Sequence, residues 1–156
     1  MVQPQPRRYG VRMAMKAIQL FSIPVSDQAR AKTFYVETLG WELVRDEAMG
    51  PDQRWVQVRP RGGDTSATLV TWFETMPAGS LRGVVIETND LEADQATLQE
   101  RGIRVDATIE EAPWGRWVTF DDPDGNGFVL QATAPRVPSP DDPVSEAKRD
   151  LQNAFD

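Results

Sequence analysis

Hydrophobic and polar residues alternate through the segment KAIQLFSIPV, which begins at Lys16 and places Phe21, Ile23 and Val25 on one face. This period of two predicts a strand with one buried face. In the segment that follows, the residues of one predicted buried face lie three and four positions apart, at Ala31, Phe34, Tyr35, Thr38 and Leu39. That spacing predicts an amphipathic helix, and Gly40 supplies the residue at which such a helix ends.

Turn residues divide the rest of the chain into short apolar segments. Three further strands are predicted at residues 41–45, 54–59 and 66–73, because AMGPDQ and PRGGDT between them are rich in Gly, Pro and Asp. The same order then starts again, with a strand at 83–88, a helix at 91–101 and strands at 103–108, 116–120 and 127–133. Each half of the chain is therefore predicted to be one βαβββ module.

The two predicted modules also share residues at a nearly constant offset. RWVQV begins at Arg54 and RWVTF begins at Arg116, 62 positions later, while Asp27 and Asp90 before the two helices are 63 positions apart. Two copies of this length match no solenoid or propeller repeat. The pattern favours a duplication within one domain.

The chain length sets the domain organisation. A chain of 156 residues suits one domain and is short for two. The predicted segments are a flexible N-terminal arm at 1–14, a single domain at 15–134 with modules at about 16–75 and 82–133, and a proline-rich linker with a short C-terminal helix at 135–156. Met13 and Met15 are alternative natural starts.

Composition removes several classes of function. Histidine and cysteine are both absent, which excludes Ser–His and Cys–His catalysis and thiolate metal sites. A formal net charge of −7 argues against binding to a nucleic-acid backbone, which requires a basic surface. No stretch has the eighteen or more apolar residues of a membrane helix, and the first residues do not form a signal peptide. We therefore expect a cytosolic protein without nucleic-acid or membrane partners.

Two segments carry a family resemblance. VSDQARAKTFYVETLGWEL, from Val25 to Leu43, and DPDGNGFVLQ, from Asp122 to Gln131, resemble the first strand-to-helix signature and the closing strand of the vicinal oxygen chelate superfamily, also known as the glyoxalase/bleomycin-resistance/dioxygenase superfamily. The resemblance implies an α+β fold in which tandem βαβββ modules form a curved mixed-sheet cup. It also implies a homodimer, because many relatives are dimers and some complete the cup across the dimer.

The resemblance also assigns positions for a metal ion. In metal-using members the four ligands come from inward positions on the first and fourth strands of each half. Carried onto this chain, those positions fall on Leu20, Gly83, Val129 and either Ala67 or Thr68. A divalent cation needs anionic or lone-pair donors in place of its water shell. We therefore predict that the chain binds no metal and needs no cofactor.

Strand alternation selects the side chains that would line the cup if Leu20 faces into it. The predicted ligand-binding residues are Ser22, Trp55, Gln57, Glu87, Trp117, Thr119 and Gln131. Apolar surfaces with a few polar groups are typical of small-molecule pockets. Trp55 and Trp117 fit a packed core or a dimer interface equally well, and Glu87 is a weak candidate for a catalytic base.

Three functions are compatible with these residues. The first is a metal-independent protein that sequesters an organic or cationic compound, as bleomycin-resistance proteins of this superfamily do. The second is a glyoxalase-like lyase or isomerase that uses Glu87 or a bound cofactor. The third is a non-catalytic interaction module with a packed cup. We favour the first, because no acid–base pair is visible in the sequence.

Overall fold

The computed structural model describes residues 13–135. The first module consists of β1 (Leu20–Pro24), α1 (Gln28–Thr33), a π-helical turn (Phe34–Thr38), β2 (Glu42–Ala48), β3 (Arg54–Arg59) and β4 (Ser66–Val70). The second module consists of β5 (Val84–Glu87), α2 (Leu91–Glu100), β6 (Glu110–Ala112), β7 (Gly115–Asp121) and β8 (Gly127–Thr133). The two modules therefore follow the predicted βαβββ order.

Each module folds into one four-stranded mixed sheet. The strand orders are β1-β4-β3-β2 and β5-β8-β7-β6, so the two sheets have the same topology. β1 pairs in parallel with β4, β5 pairs in parallel with β8, and the remaining pairs are antiparallel. Both helices begin at equivalent aspartates, because Asp27 accepts a hydrogen bond from the Arg30 amide and Asp90 from the Ala93 amide. The predicted α+β fold with duplicated modules is confirmed.

One predicted strand is wrong. Of residues 103–108, only Val105 makes a β-bridge, to Phe120, and the outer strand of the second sheet lies further on, at Glu110–Ala112. Backbone hydrogen bonds flank this bridge, from the Asp106 amide to the Thr119 carbonyl and from the Asp121 amide to the Arg104 carbonyl. The ladder does not continue, because the Thr119 amide and hydroxyl both donate to the Asp106 carboxylate rather than to a backbone carbonyl. β1 also begins at Leu20, four residues later than predicted. The predicted C-terminal helix lies outside the described residues.

The hydrophobic core lies on the helix side of both sheets. Ile23, Val56 and Val58 of the first sheet are fully buried in the same cluster as Val118 and Phe120 of the second. The alternate residues of these strands face away from the core, as period-two patterning predicts. Consequently each sheet keeps one face outside the core.

A buried polar network joins the two modules. The Tyr35 hydroxyl donates to Asp122 Oδ2 at 2.7 Å, and the Asn126 side-chain amide donates to the same oxygen at 2.8 Å and to the Pro24 carbonyl at 2.9 Å. The Leu81 amide in turn donates to Asn126 Oδ1 at 3.1 Å. Burial, followed by the Asp122 charge, raises the pKa of Tyr35 far above its ordinary value, so its hydroxyl stays a donor. The DPDGN turn is therefore the main polar link between the modules.

A surface ion cluster makes stability depend on pH. Arg54 and Lys32 both donate hydrogen bonds to Asp46, and these bonds hold the pKa of the Asp46 carboxyl below its usual range. A lowered folded pKa adds stability that is complete above the unfolded value of about 3.9 and is lost as pH falls through the folded value. We expect Asp46→Asn to lower the thermal unfolding midpoint at pH 7. The decrease in that midpoint from pH 7 to pH 3 should be smaller in the variant than in the unchanged protein. Asp52→Asn, at an exposed turn, should leave the same melting curves unchanged.

Candidate functional site

The exposed face of the second sheet carries most of the predicted ligand-binding residues. We call it the second wall, and it consists of Val85, Glu87, Trp117, Thr119, Val129, Gln131 and Thr133. One row crosses all four strands, because Glu87 pairs with Gln131, Gln131 with Trp117, and Trp117 with Glu110. Side chains of directly paired residues lie on the same face. In this row the Gln131 amide and the Trp117 indole therefore lie between the carboxylates of Glu87 and Glu110.

Trp114 extends this row. It lies in the turn between β6 and β7, where its ring stacks on Trp117 with centroids 6.1 Å apart and planes 10° from parallel. Its carbonyl accepts a hydrogen bond from the Ala134 amide at 2.9 Å, and its side chain is 63% exposed. A large, flat aromatic surface thus faces solvent. Trp114 and Glu110 were not among the predicted site residues. Glu110 follows the predicted end of the outer strand, and Trp114 lies in the APWG stretch, which the sequence predicts as a loop.

Glu87 is held by its neighbours on the second wall. One carboxylate oxygen accepts from the Thr133 amide at 3.0 Å and the other from the Thr133 hydroxyl at 2.6 Å, while Gln131 donates to the same hydroxyl at 2.9 Å. Glu87 is exposed to solvent. A general base requires a desolvated or otherwise tuned carboxylate, whereas an exposed, fixed carboxylate is suited to pairing with a cation.

The first sheet has an equivalent face whose residues are partly or fully buried. We call it the first wall, and it consists of Leu20, Ser22, Trp55, Gln57 and Thr68. The Trp55 indole donates to Gln57 Oε1 at 3.1 Å, and the Gln57 amide donates to the Ser66 hydroxyl at 2.7 Å. These bonds fix the orientation of both side chains. Ala67 is buried in the core, so Thr68 is the fourth-strand residue on this wall.

The residues predicted to bind ligand are thus divided between two sheets. Ser22, Trp55 and Gln57 lie on the first wall, and the other four lie on the second. Within residues 13–135, no hydrogen bond or aromatic contact joins one wall to the other. The inter-module contacts are instead at the core, at the DPDGN turn and at the hydrogen bond from Arg101 to the Thr38 carbonyl. One chain therefore presents two separate walls rather than a closed pocket.

Gly115 allows the hairpin that presents the tryptophan pair. A Cβ atom at this position would lie 2.6 Å from the Ala132 carbonyl oxygen and 3.1 Å from Thr133 Cα. We expect Gly115→Ala to force β7 away from β8, to lower the thermal midpoint, and to reduce the near-ultraviolet circular dichroism of the stacked indoles.

Gly102→Ala is the matched control for that substitution. Gly102 also has a positive φ, of 73°, but a Cβ atom there meets nothing within 4 Å. This variant should lose only about 1–2 kcal/mol of stability, because alanine is strained at a positive φ, and it should keep the tryptophan signal. An unchanged signal in Gly115→Ala would contradict the close approach of β7 and β8.

The side chains at the family's metal positions do not suit a divalent cation. Leu20, Gly83 and Val129 offer no donor atom, and the Thr68 hydroxyl is buried beside the Phe21 carbonyl at 3.5 Å. Across the described part of the chain, no three carboxylate, His or Cys side chains are grouped as metal ligands. The groups that the two walls present are indole, amide, hydroxyl and carboxylate groups.

Two βαβββ modules, each with a helix on one sheet face and an open wall on the other, define a paired-module α+β protein. The family model for the Glyoxalase/Bleomycin resistance protein/Dioxygenase superfamily matches residues 17–130. The chain belongs to this superfamily, and the resemblance noted in the sequence is confirmed.

Several solved structures are similar to this chain. TnmS3, an antibiotic binding protein from Streptomyces sp. CB03234, is 54% identical with a TM-score of 0.74, covering 79% of this chain and all of that one. A glyoxalase/bleomycin resistance protein from the same organism is 56% identical with a TM-score of 0.66, covering 72% and 96% of the two chains. Uncharacterized protein YetH of Bacillus subtilis (strain 168) is 32% identical over 120 residues, covering 75% of this chain and 98% of that protein.

No helix within residues 13–135 is both long enough and apolar enough to cross a membrane.

Proposed function

We propose that this chain is a cytosolic binding protein that sequesters a small organic molecule on its second wall without using a metal. The observation that carries the proposal is the exposed Trp114–Trp117 stack beside Glu87 and Glu110. An indole face attracts flat aromatic rings and cations, and nearby carboxylates favour positive charge. The ligand class is therefore a flat aromatic compound, neutral or cationic.

Two further observations support binding over catalysis. TnmS3, whose description is an antibiotic binding protein, shares 54% of its sequence with this chain. On the second wall, Glu87 is exposed and engaged with Thr133, and no second titratable group is hydrogen-bonded to it. A binding protein needs only the surface and its orienting polar groups, both of which the wall supplies.

We also propose that a second copy of the chain completes the binding site. Val85 on the second wall is 54% exposed, and Trp114 is more exposed still. Exposed apolar surface of this kind marks interfaces and ligand grooves. A homodimer would place a wall of one chain over a wall of the other and enclose the ligand. Sedimentation velocity of the full chain tests this, with a dimer expected and a monomer at all concentrations contradicting it.

The binding proposal can be tested with two probes that share one ring system. 9-Aminoacridine is cationic at neutral pH, and acridine is largely neutral. Isothermal titration calorimetry with a metal chelator present should give saturable binding of both probes, with the cation bound more tightly because of Glu87 and Glu110. Glu87→Gln should weaken the binding of 9-aminoacridine more than the binding of neutral acridine. No binding of either probe, or binding only after a divalent metal is added, would contradict the proposal.

A further inference from the structure

A cavity of about 380 Å³ lies between the modules on the helix side of the sheets. It is bounded by the end of the π-helical turn, by the loop between β3 and β4, and by α2. Its volume falls within the range of small-molecule sites. Of the second-wall residues, only Glu87 also borders it. This cavity is therefore a place distinct from the aromatic stack.

Two arginines converge at the cavity from different modules. Arg101, just after α2, donates through Nη1 to the Thr38 carbonyl at 2.6 Å, and Arg61, between β3 and β4, donates through Nε to the Gly40 carbonyl at 3.0 Å. These two carbonyls are only two residues apart, so the guanidinium groups are brought to the same turn. Each guanidinium has five N–H donors, and each of these bonds uses one of them.

In the part of the chain that the structure describes, neither arginine of this pair is in an ion pair with a carboxylate. Seven other Lys or Arg residues among residues 13–135 do form salt bridges. The two acids that border the cavity accept hydrogen bonds from neutral groups, Glu87 from Thr133 and Asp94 from the Thr88 hydroxyl at 2.5 Å, and neither is paired with Arg61 or Arg101. An anionic group between the two guanidinium groups would accept charge-assisted hydrogen bonds from their remaining N–H donors.

Part of the remaining lining is apolar. Trp41, Leu98, Phe120 and Leu130 border the cavity, and all four are buried in the shared core. A ligand in the cavity would contact aromatic and aliphatic surface as well as the two guanidinium groups. The combination suits a molecule with an apolar body and one anionic group, since each part of it meets a matching surface.

We infer that the inter-module cavity is a second binding site, which takes a small organic anion whose charged group lies between Arg61 and Arg101. The inference does not rest on the function proposed for the second wall. The probe is 8-anilinonaphthalene-1-sulfonate, and N-phenyl-1-naphthylamine is its uncharged counterpart. Fluorescence titration of the full chain should show one sulfonate probe per chain, bound more tightly than the uncharged one.

Substitutions locate the site. Arg61→Gln and Arg101→Gln should each raise the dissociation constant of the sulfonate probe at least tenfold and change that of the uncharged probe by less than twofold. Thr97→Phe keeps both arginines but puts a phenyl ring into the cavity, so it should weaken binding of both probes. Arg45→Gln removes the same charge from an exposed strand position and should change neither constant.

The inference would be overturned if Arg45→Gln weakened binding of the sulfonate probe as much as Arg61→Gln, if Thr97→Phe left binding of both probes unchanged, or if Trp117→Ala abolished binding of the sulfonate probe. The last result would place the probe on the second wall. Arg101→Gln also removes an inter-module hydrogen bond, so the melting temperature of each variant is measured first. Arg61→Lys retains the charge and should keep most of the affinity, whereas a loss equal to that of Arg61→Gln would also contradict the inference.

Discussion

Replacing Asn126 with alanine is expected to lower the free energy of unfolding by about 3–5 kcal/mol, the range for breaking a buried, charged hydrogen-bond network. Asn126 is fully buried and bonds to the Asp122 carboxylate, the Pro24 carbonyl and the Leu81 amide. Alanine would leave each of these groups without that partner. Urea denaturation followed by circular dichroism measures the change.

Asn89→Ala is the matched control, because Asn89 is exposed on the loop before α2. It should change the same free energy by less than about 0.5 kcal/mol. Tyr35→Phe keeps the buried ring and removes only the hydroxyl bond to Asp122, so it should cost about 1.5–3 kcal/mol. If Asn126→Ala were no more destabilising than Asn89→Ala, the DPDGN turn would not join the modules as described.

Trp117→Ala is expected to weaken the binding of 9-aminoacridine by about 30-fold or more. This corresponds to the loss of about 2 kcal/mol that is usual for a central aromatic contact in a binding site. Trp117 contributes its own ring and also supports Trp114, whose ring stacks on it. Isothermal titration calorimetry measures the affinity without relying on tryptophan fluorescence.

Trp72→Ala is the control for this substitution. Trp72 lies after β4, in the first module, and contacts Phe73. Its removal takes away an indole of the same size and should leave the affinity within twofold. Equal losses in both variants would mean that the aromatic stack is not where the ligand binds.

The parts of this fold that depend on local alternation were predictable from the sequence. In β3 and β7 the buried valines and the more exposed tryptophans occupy alternate positions, so the amino-acid pattern alone assigns the faces of these strands. The 62-residue offset between Arg54 and Arg116 also predicted that the two modules are duplicates. Period-two patterning fixes which face is buried, because a register shift of one residue would move every side chain of the strand to the opposite face of the sheet.

The features that were missed depend on long-range pairing. Residues 103–108 have strand-like composition, but Asp106 bonds through its side chain to Thr119 and prevents a regular ladder. The choice between Ala67 and Thr68 required the register with β1 and β3. The Trp114 stack required the hairpin that Gly115 permits. None of these contacts is visible in local sequence spacing.

The central claim is that the second wall holds an organic ligand by stacking and charge, without a metal ion. Native mass spectrometry of the full chain, purified without chelator and measured before and after addition of 9-aminoacridine, tests it most directly. We expect no stoichiometric metal before addition and one bound 9-aminoacridine per chain after it. One tightly held divalent metal ion per chain, with no 9-aminoacridine bound, would contradict it.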